Sequence, residues 1–240
     1  SGDEDTAISL SISDALTDTD GSESLGDVTI SGVPTGASLS AGSDQGGGVW
    51  VLTQGELAGL SITPASGSDA DFTLGVSVTS TEAENGDTAT TTGTINVTVA
   101  AVADDPDLDV TDATGNEDTA IALDVSAALT DTDGSESLSD ITISGVPTGA
   151  SLSAGTDLGG GVWTITAAET AGLTITPPAD SDVDFALSVS VTSTEAENGD
   201  TATTTGTISV TVIAVADAPD LTTADASGDR SEERRVGERV

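Results

Sequence analysis

Two tandem all-β sandwiches are what this sequence predicts, and three observations carry the prediction. The chain repeats itself after 113 residues: 1–108 against 114–221 give 83 identities in 108 positions, without a gap. Its apolar residues alternate with serine and threonine, the period of a strand with one buried face. Isoleucine, valine, leucine and threonine dominate, a composition that suits strands.

The elements follow in order through one repeat. Ile8, Leu10 and Ile12 alternate with serines and predict a first strand. Val28 and Ile30 predict a second, ending at the turn GVPTGA, where Pro34 and Gly36 suit a tight reversal. Leu39 follows, and SDQGGG reads as a glycine loop before the strand VWVLT. QGELAG is the one helix-like piece, a single turn. Leu60 and Ile62 mark a short strand ending at Pro64. FTLGVSVTS places Phe72, Leu74, Val76 and Val78 on one face, Asn85-Gly86 signals a hairpin, and the return strand aligns Ile95, Val97 and Val99. About seven short strands in roughly 105 residues is the pattern of an immunoglobulin-like sandwich. Trp50 and Phe72, twinned by Trp163 and Phe185, are expected in the cores; a sugar-stacking role for Trp50 is the alternative.

The period is domain-sized, so each repeat is one unit. Repeat 1 is expected over 1–105, repeat 2 over 106–218 and the start of a third over 219–229. SGD at 227–229 falls two periods after SGD at 1–3, but the chain then reads RSEERRVGERV instead of EDTA. Residues 230–240 break register and carry every arginine; they read as a foreign, adapter-like tail, with further repeats expected in its place.

Charge narrows the function. The chain holds 42 acids and 4 bases, and all four bases lie in the last eleven residues. Residues 1–229 therefore carry 39 acids and no lysine or arginine. Their carboxylates must be solvated, hydrogen-bonded or bound to cations. Such charge argues against nucleic acid and anionic membrane surfaces as partners. No apolar run is long enough for a membrane helix. Cysteine, histidine, lysine and tyrosine are absent, which removes disulfides, the usual general bases and covalent nucleophiles, and zinc ligands other than carboxylates. Paired carboxylates can hydrolyse glycosides, but no pair is singled out, and the chain reads as a non-enzyme.

Calcium is the chemistry these residues permit, since it takes six to eight oxygen ligands. Each repeat has an early Glu-Asp pair (Glu4, Asp5; Glu117, Asp118). Each has the loop DTDGSES, with Asp18, Asp20 and Glu23 twinned by Asp131, Asp133 and Glu136. Each has SDxDF, with Asp69 and Asp71 twinned by Asp182 and Asp184. The first junction reads VAAVADDPDL, with Asp104, Asp105 and Asp107; the second reads VIAVADAPDL, with Asp217 and Asp220. The loop is no EF-hand, because its glycine stands fourth rather than sixth. A solvated acidic turn is the plain alternative for any one cluster.

ALTDTDGSESL, followed by FTLGVSVTSTEAENGDTATTTGTINVTVAAVADDPDL, resembles the cadherin-like repeats of bacterial surface proteins. More narrowly it resembles tandem VCBS-type repeats of large type-I-secreted adhesins of the RTX and biofilm-associated class, over residues 1–221. The resemblance implies Ca2+ at repeat junctions. It matches Asp104 and Asp105 to the acidic linker ahead of Pro106, and Asp131 and Asp133 to the Asp-x-Asp loop of the following repeat. It matches Glu4 to the early glutamate, and Asp69 and Asp71 to the mid-domain pair, of the preceding one. The linker lacks the family's asparagine, and Asp105 becomes Ala218 at the second junction, which is expected to bind more weakly. The function implied is a calcium-stiffened extender of a secreted, cell-surface adhesin, with neighbouring repeats as its partners. The alternatives are a module that binds surface glycans or another copy of itself, and a metal-independent acidic spacer.

Overall fold

A computed structural model describes residues 1–228. The expected foreign tail, 230–240, and the last residue of the expected third repeat lie outside the described residues. The chain is nearly all β. In repeat 1 one sheet runs in the order Thr88–Val97, Phe72–Glu82, Val28–Ser31, Val49–Leu52, Ser43–Gly46, and Glu23–Leu25 also pairs with Phe72–Glu82. A smaller sheet holds Ile8–Ser9, Ser61–Thr63 and Ser38–Leu39. Between them Ile8, Leu10, Ile30, Leu52, Ile62 and Leu74 are buried together. Repeat 2 copies this arrangement around Ile121, Ile143, Ile165, Ile175, Leu187 and Ile208. Each core comes from alternate residues facing inward from both sheets, as a sandwich requires.

The punctuation works as the sequence suggests. Gln54–Glu56 is one 3-10 turn. Asn85 caps the hairpin between the long strands by accepting the Asp87 N–H, and Gly86 takes φ 73°. The run SDQGGG is corrected in part: Ser43–Gly46 is a strand paired with Val49–Leu52, and only Gly47 and Gly48 turn. Glycine is required at 48, where φ is 74° and a Cβ would lie 2.5 Å from the Val33 carbonyl oxygen. The four aromatics are half-buried, packed against the cores rather than within them.

Two features of the ends matter for function. Gly2–Asp3 runs parallel to Val99–Ala100, which ties the start of repeat 1 to its exit beside the connection 101–106. Repeat 2 also has a strand, Asp107–Thr111, paired with Asp124–Ala128. In repeat 1 the twin of the latter, residues 11–15, forms no strand.

Candidate metal centre

The DTDG loop of repeat 2 folds on its own side chains. Asp131 Oδ1 accepts the Asp133 N–H at 2.9 Å, and Asp133 Oδ1 accepts the Ser135 N–H at 2.8 Å. Aspartate favours such turns because its short carboxylate reaches the backbone two residues on. Ser135 Oγ then donates to Asp131 Oδ2 at 2.8 Å and to Glu195 Oε1 at 3.4 Å. The strand Glu136–Leu138 places Glu136 directly opposite Glu195. Two like charges in a cross-strand pair are destabilising unless a counter-charge sits between them.

The connection and repeat 1 close the site. Asp104 N–H donates to Glu136 Oε1 at 2.6 Å, and Ser193 Oγ donates to the Asp104 carbonyl. Asn198 Nδ2 holds the Ala101 carbonyl at 2.7 Å, and Thr130 Oγ1 holds that of Asp105 at 2.9 Å. Glu4 Oε1 accepts the Val102 N–H at 2.7 Å. Asp5, at φ 52°, accepts the Gly67 N–H, which brings that loop against Asp131. Asp5, Gly67, Asp104, Asp105, Asp131 and Asp133 all line a cavity of about 640 Å³ between the repeats.

Burial makes this cluster unusual. Glu4 is 4% exposed, Glu136 9% and Glu195 1%, and in each the Oε2 oxygen is buried without a hydrogen-bond partner. Asp131, Glu136 and Glu195 bring carboxylate oxygens within 4.8 Å of one another. A buried carboxylate is costly unless paired, and unpaired buried oxygens in a native fold call for an explanation. Burial pushes Glu4 up to about 7, and the charges of Glu195, Asp131 and Asp104 add to the rise. Burial likewise raises Asp104, Glu136 and Glu195, each further raised by neighbouring carboxylates. Carboxylate oxygens as the donors suit a hard divalent cation of calcium's kind.

The remaining predicted residues divide by place. Asp69 is half-buried near this cluster and adds to the rise at Glu195. Asp71 is not brought in: its Oδ1 accepts the Val99 N–H at 2.9 Å, as Asp184 accepts that of Val212 at 2.8 Å. At the outer end of repeat 1, Asp18 and Asp20 form the same turns but are exposed, and Ser22 holds the Asp20 carboxyl below its usual range. Glu23 there stands opposite Glu82, both half-buried. At the far end of repeat 2, Glu117 Oε1 accepts the Val215 N–H at 2.7 Å, as Glu4 does at the first junction. Asp217 joins Asp118 and Asp180 in an exposed triad, and Asp182 is exposed.

Sequence reasoning did not single out two members of these groups, Glu195 and Asp180. Period-two counting from Val189 through Val191 and Ser193 puts Glu195 on the buried face, so its signal was present. Asp180 gave no signal, because its twin in repeat 1 is Gly67.

No protein-family model matches the chain, and no curated protein matches it. Solved structures match weakly. The titin domains Z1Z2 in complex with telethonin align at 12% identity and TM-score 0.26, over 82% of this chain and 90% of that one. Zebrafish RET cadherin-like domains 1 to 4 align at 13% and 0.21, over 79% and 42%. An endo-fucoidan hydrolase of glycoside hydrolase family 107 aligns at 13% and 0.23, over 81% of this chain but 24% of that one. Scores this low carry no argument, so the fold class rests on the sheets and the two cores themselves.

Proposed function

We propose that this chain is a calcium-stiffened structural extender of a secreted bacterial surface adhesin, and not an enzyme. One observation carries the reading. Three buried glutamates, one from repeat 1 and two from repeat 2, each leave an oxygen unpartnered at the same junction. In a region without lysine or arginine, a bound cation is the available counter-charge. Glu4, Asp104, Asp131, Glu136 and Glu195 would hold it, with Asp5, Asp69, Asp105 and Asp133 around them. The ion would replace carboxylate repulsion by a shared bond across the connection and so fix one repeat against the next. Binding to the folded state alone stabilises by about 2.7 kcal/mol at a hundredfold excess over Kd. Extracellular calcium modules bind at about 0.1–1 mM, which would leave the array soft until calcium is plentiful.

A thermal melt of the chain in calcium, in magnesium and in chelator tests this. A calcium-specific rise supports the reading. An equal rise at matched ionic strength from sodium or magnesium reduces the carboxylates to surface charge, and the metal-independent spacer then stands.

A further inference from the structure

The turn GVPTGA of repeat 1 lies against the hairpin between Ser43–Gly46 and Val49–Leu52, where the Val33 N–H donates to the Gly48 carbonyl at 3.1 Å. Between the two is a cavity of about 530 Å³, and Trp50 is its aromatic wall. The cavity lies wholly within repeat 1, with repeat 2 folded beyond it. Strand pairing puts Asp44 directly opposite Trp50. Carboxylate and indole therefore share one face of the ribbon, with Cβ atoms about 5 Å apart. Asp44 Oδ1 accepts the Gly46 N–H at 2.8 Å, which orients the carboxylate, and Asp44 is exposed. The Thr35 hydroxyl and the main chain of Gly47 add further polar groups to the lining.

Repeat 2 carries the same constellation. All ten lining residues recur 113 positions on. Asp157 stands opposite Trp163, and its Oδ1 accepts the Gly159 N–H at 2.8 Å. The residues limit the ligand. Residues 1–229 hold no lysine or arginine, so an anion finds no counter-charge here. A single indole is no cage for a quaternary ammonium group, and the volume is that of a small-molecule site, about 300–1,000 Å³. A neutral pyranose meets all three limits. Its C–H face is apolar and packs on an indole, while its hydroxyls donate to a carboxylate and to backbone carbonyls.

We infer that each repeat holds one binding site for a neutral sugar, built on Trp50 and Asp44 in repeat 1 and on Trp163 and Asp157 in repeat 2. The indole stacks against the sugar ring. The carboxylate accepts ring hydroxyls with the oxygen that the hairpin does not use. The glycine main chain lets the ring approach where a side chain would block it. The sequence left a sugar-stacking Trp50 without polar neighbours; strand pairing supplies Asp44, because the glycine run folds back as a hairpin. The inference rests on neither the metal nor the extender reading.

The test is intrinsic fluorescence, because Trp50 and Trp163 are the chain's two tryptophans. The 240-residue chain is titrated in chelator with glucose, galactose, mannose, N-acetylglucosamine and the disaccharides of each, and with choline as a cationic probe. The expected result is a saturable spectral shift at millimolar concentrations of at least one sugar. Asp44→Asn together with Asp157→Asn keeps both tryptophans and changes two exposed positions. It is expected to weaken that binding at least about tenfold, because a charge-assisted acceptor is lost from each site. A circular-dichroism melt equal to the parent's confirms that the variant is folded. Absence of a saturable response to every sugar overturns the inference. A response to choline alone overturns it too, as does sugar binding that the double variant leaves unchanged. Because calcium is chelated, failure of the metal reading leaves this result unaffected.

Discussion

Glu195 and Glu136 face each other across one strand pair with a buried, unpartnered oxygen on each. That arrangement gives a substitution two opposite signs. Glu195→Gln removes a buried like charge, so in chelator the variant is expected to melt above the parent, by about 2–4 °C for each kcal/mol relieved. In calcium it loses a ligand, and affinity by titration calorimetry is expected to fall at least about tenfold. Glu4 contributes to the pH dependence of the metal-free chain, beside Asp104, Glu136 and Glu195, which burial raises in the same direction. The folded pKa of Glu4, about 7, lies above its ordinary 4.5, so the folded state binds more protons between those values. The stability this contributes is complete below about pH 4.5 and is lost as pH rises through about 7. A metal-free melting curve is therefore expected to fall across that window. Calcium competes with the proton, so calcium affinity is expected to rise over the same range. A melting temperature indifferent to pH there would remove Glu4 from the cluster.

At the scale of the element, the two repeats serve as each other's control. DVSAA at 124–128 is a strand and SISDA at 11–15 is not, although both alternate and they hold equivalent places in the two repeats. The difference is the partner, Asp107–Thr111, since isolated strand pairs depend on neighbours to cover their apolar face. The glycines opposite report this directly. Gly206→Val overpacks against Val110 and is expected to destabilise repeat 2 by about 1–3 kcal/mol. Gly93→Val meets open space on an extended strand and is expected to leave the melt of repeat 1 unchanged or raise it. Urea denaturation of the two variants checks the asymmetry; equal losses would mean that the two glycines meet the same packing in solution.

For the whole molecule, the connection 101–106 decides whether two sandwiches act as one rod. It is pinned by side chains of both repeats, Glu4 on one side and Glu136, Ser193 and Asn198 on the other. Several of those contacts sit among mutually repelling carboxylates. Small-angle scattering is expected to give one extended maximum dimension in calcium and a broader, more compact distribution in chelator. Asp104→Asn together with Asp131→Asn is expected to make the calcium profile resemble the chelated one. Identical profiles with and without calcium would leave the junction rigid on its hydrogen bonds alone.

The sequence by itself determined the repeat, the sheet-forming period, the turns at GVPTGA and Asn85-Gly86, and the acid-rich junction without a basic side chain. These are local or compositional properties, and neighbouring residues are enough to express them. The Ser43–Gly46 strand was hidden, because glycine gives no β signal until Val49–Leu52 lies beside it. Only the tertiary structure decided which acids meet. Glu4, Asp104, Glu136 and Glu195 are spread over 191 positions of the chain, and strand pairing with the path of the connection brings them together. It also decided which are buried: Asp131 lies under repeat 1 and the connection, whereas its identical twin Asp18 is exposed. Identical letters take different environments because burial depends on what packs against a residue.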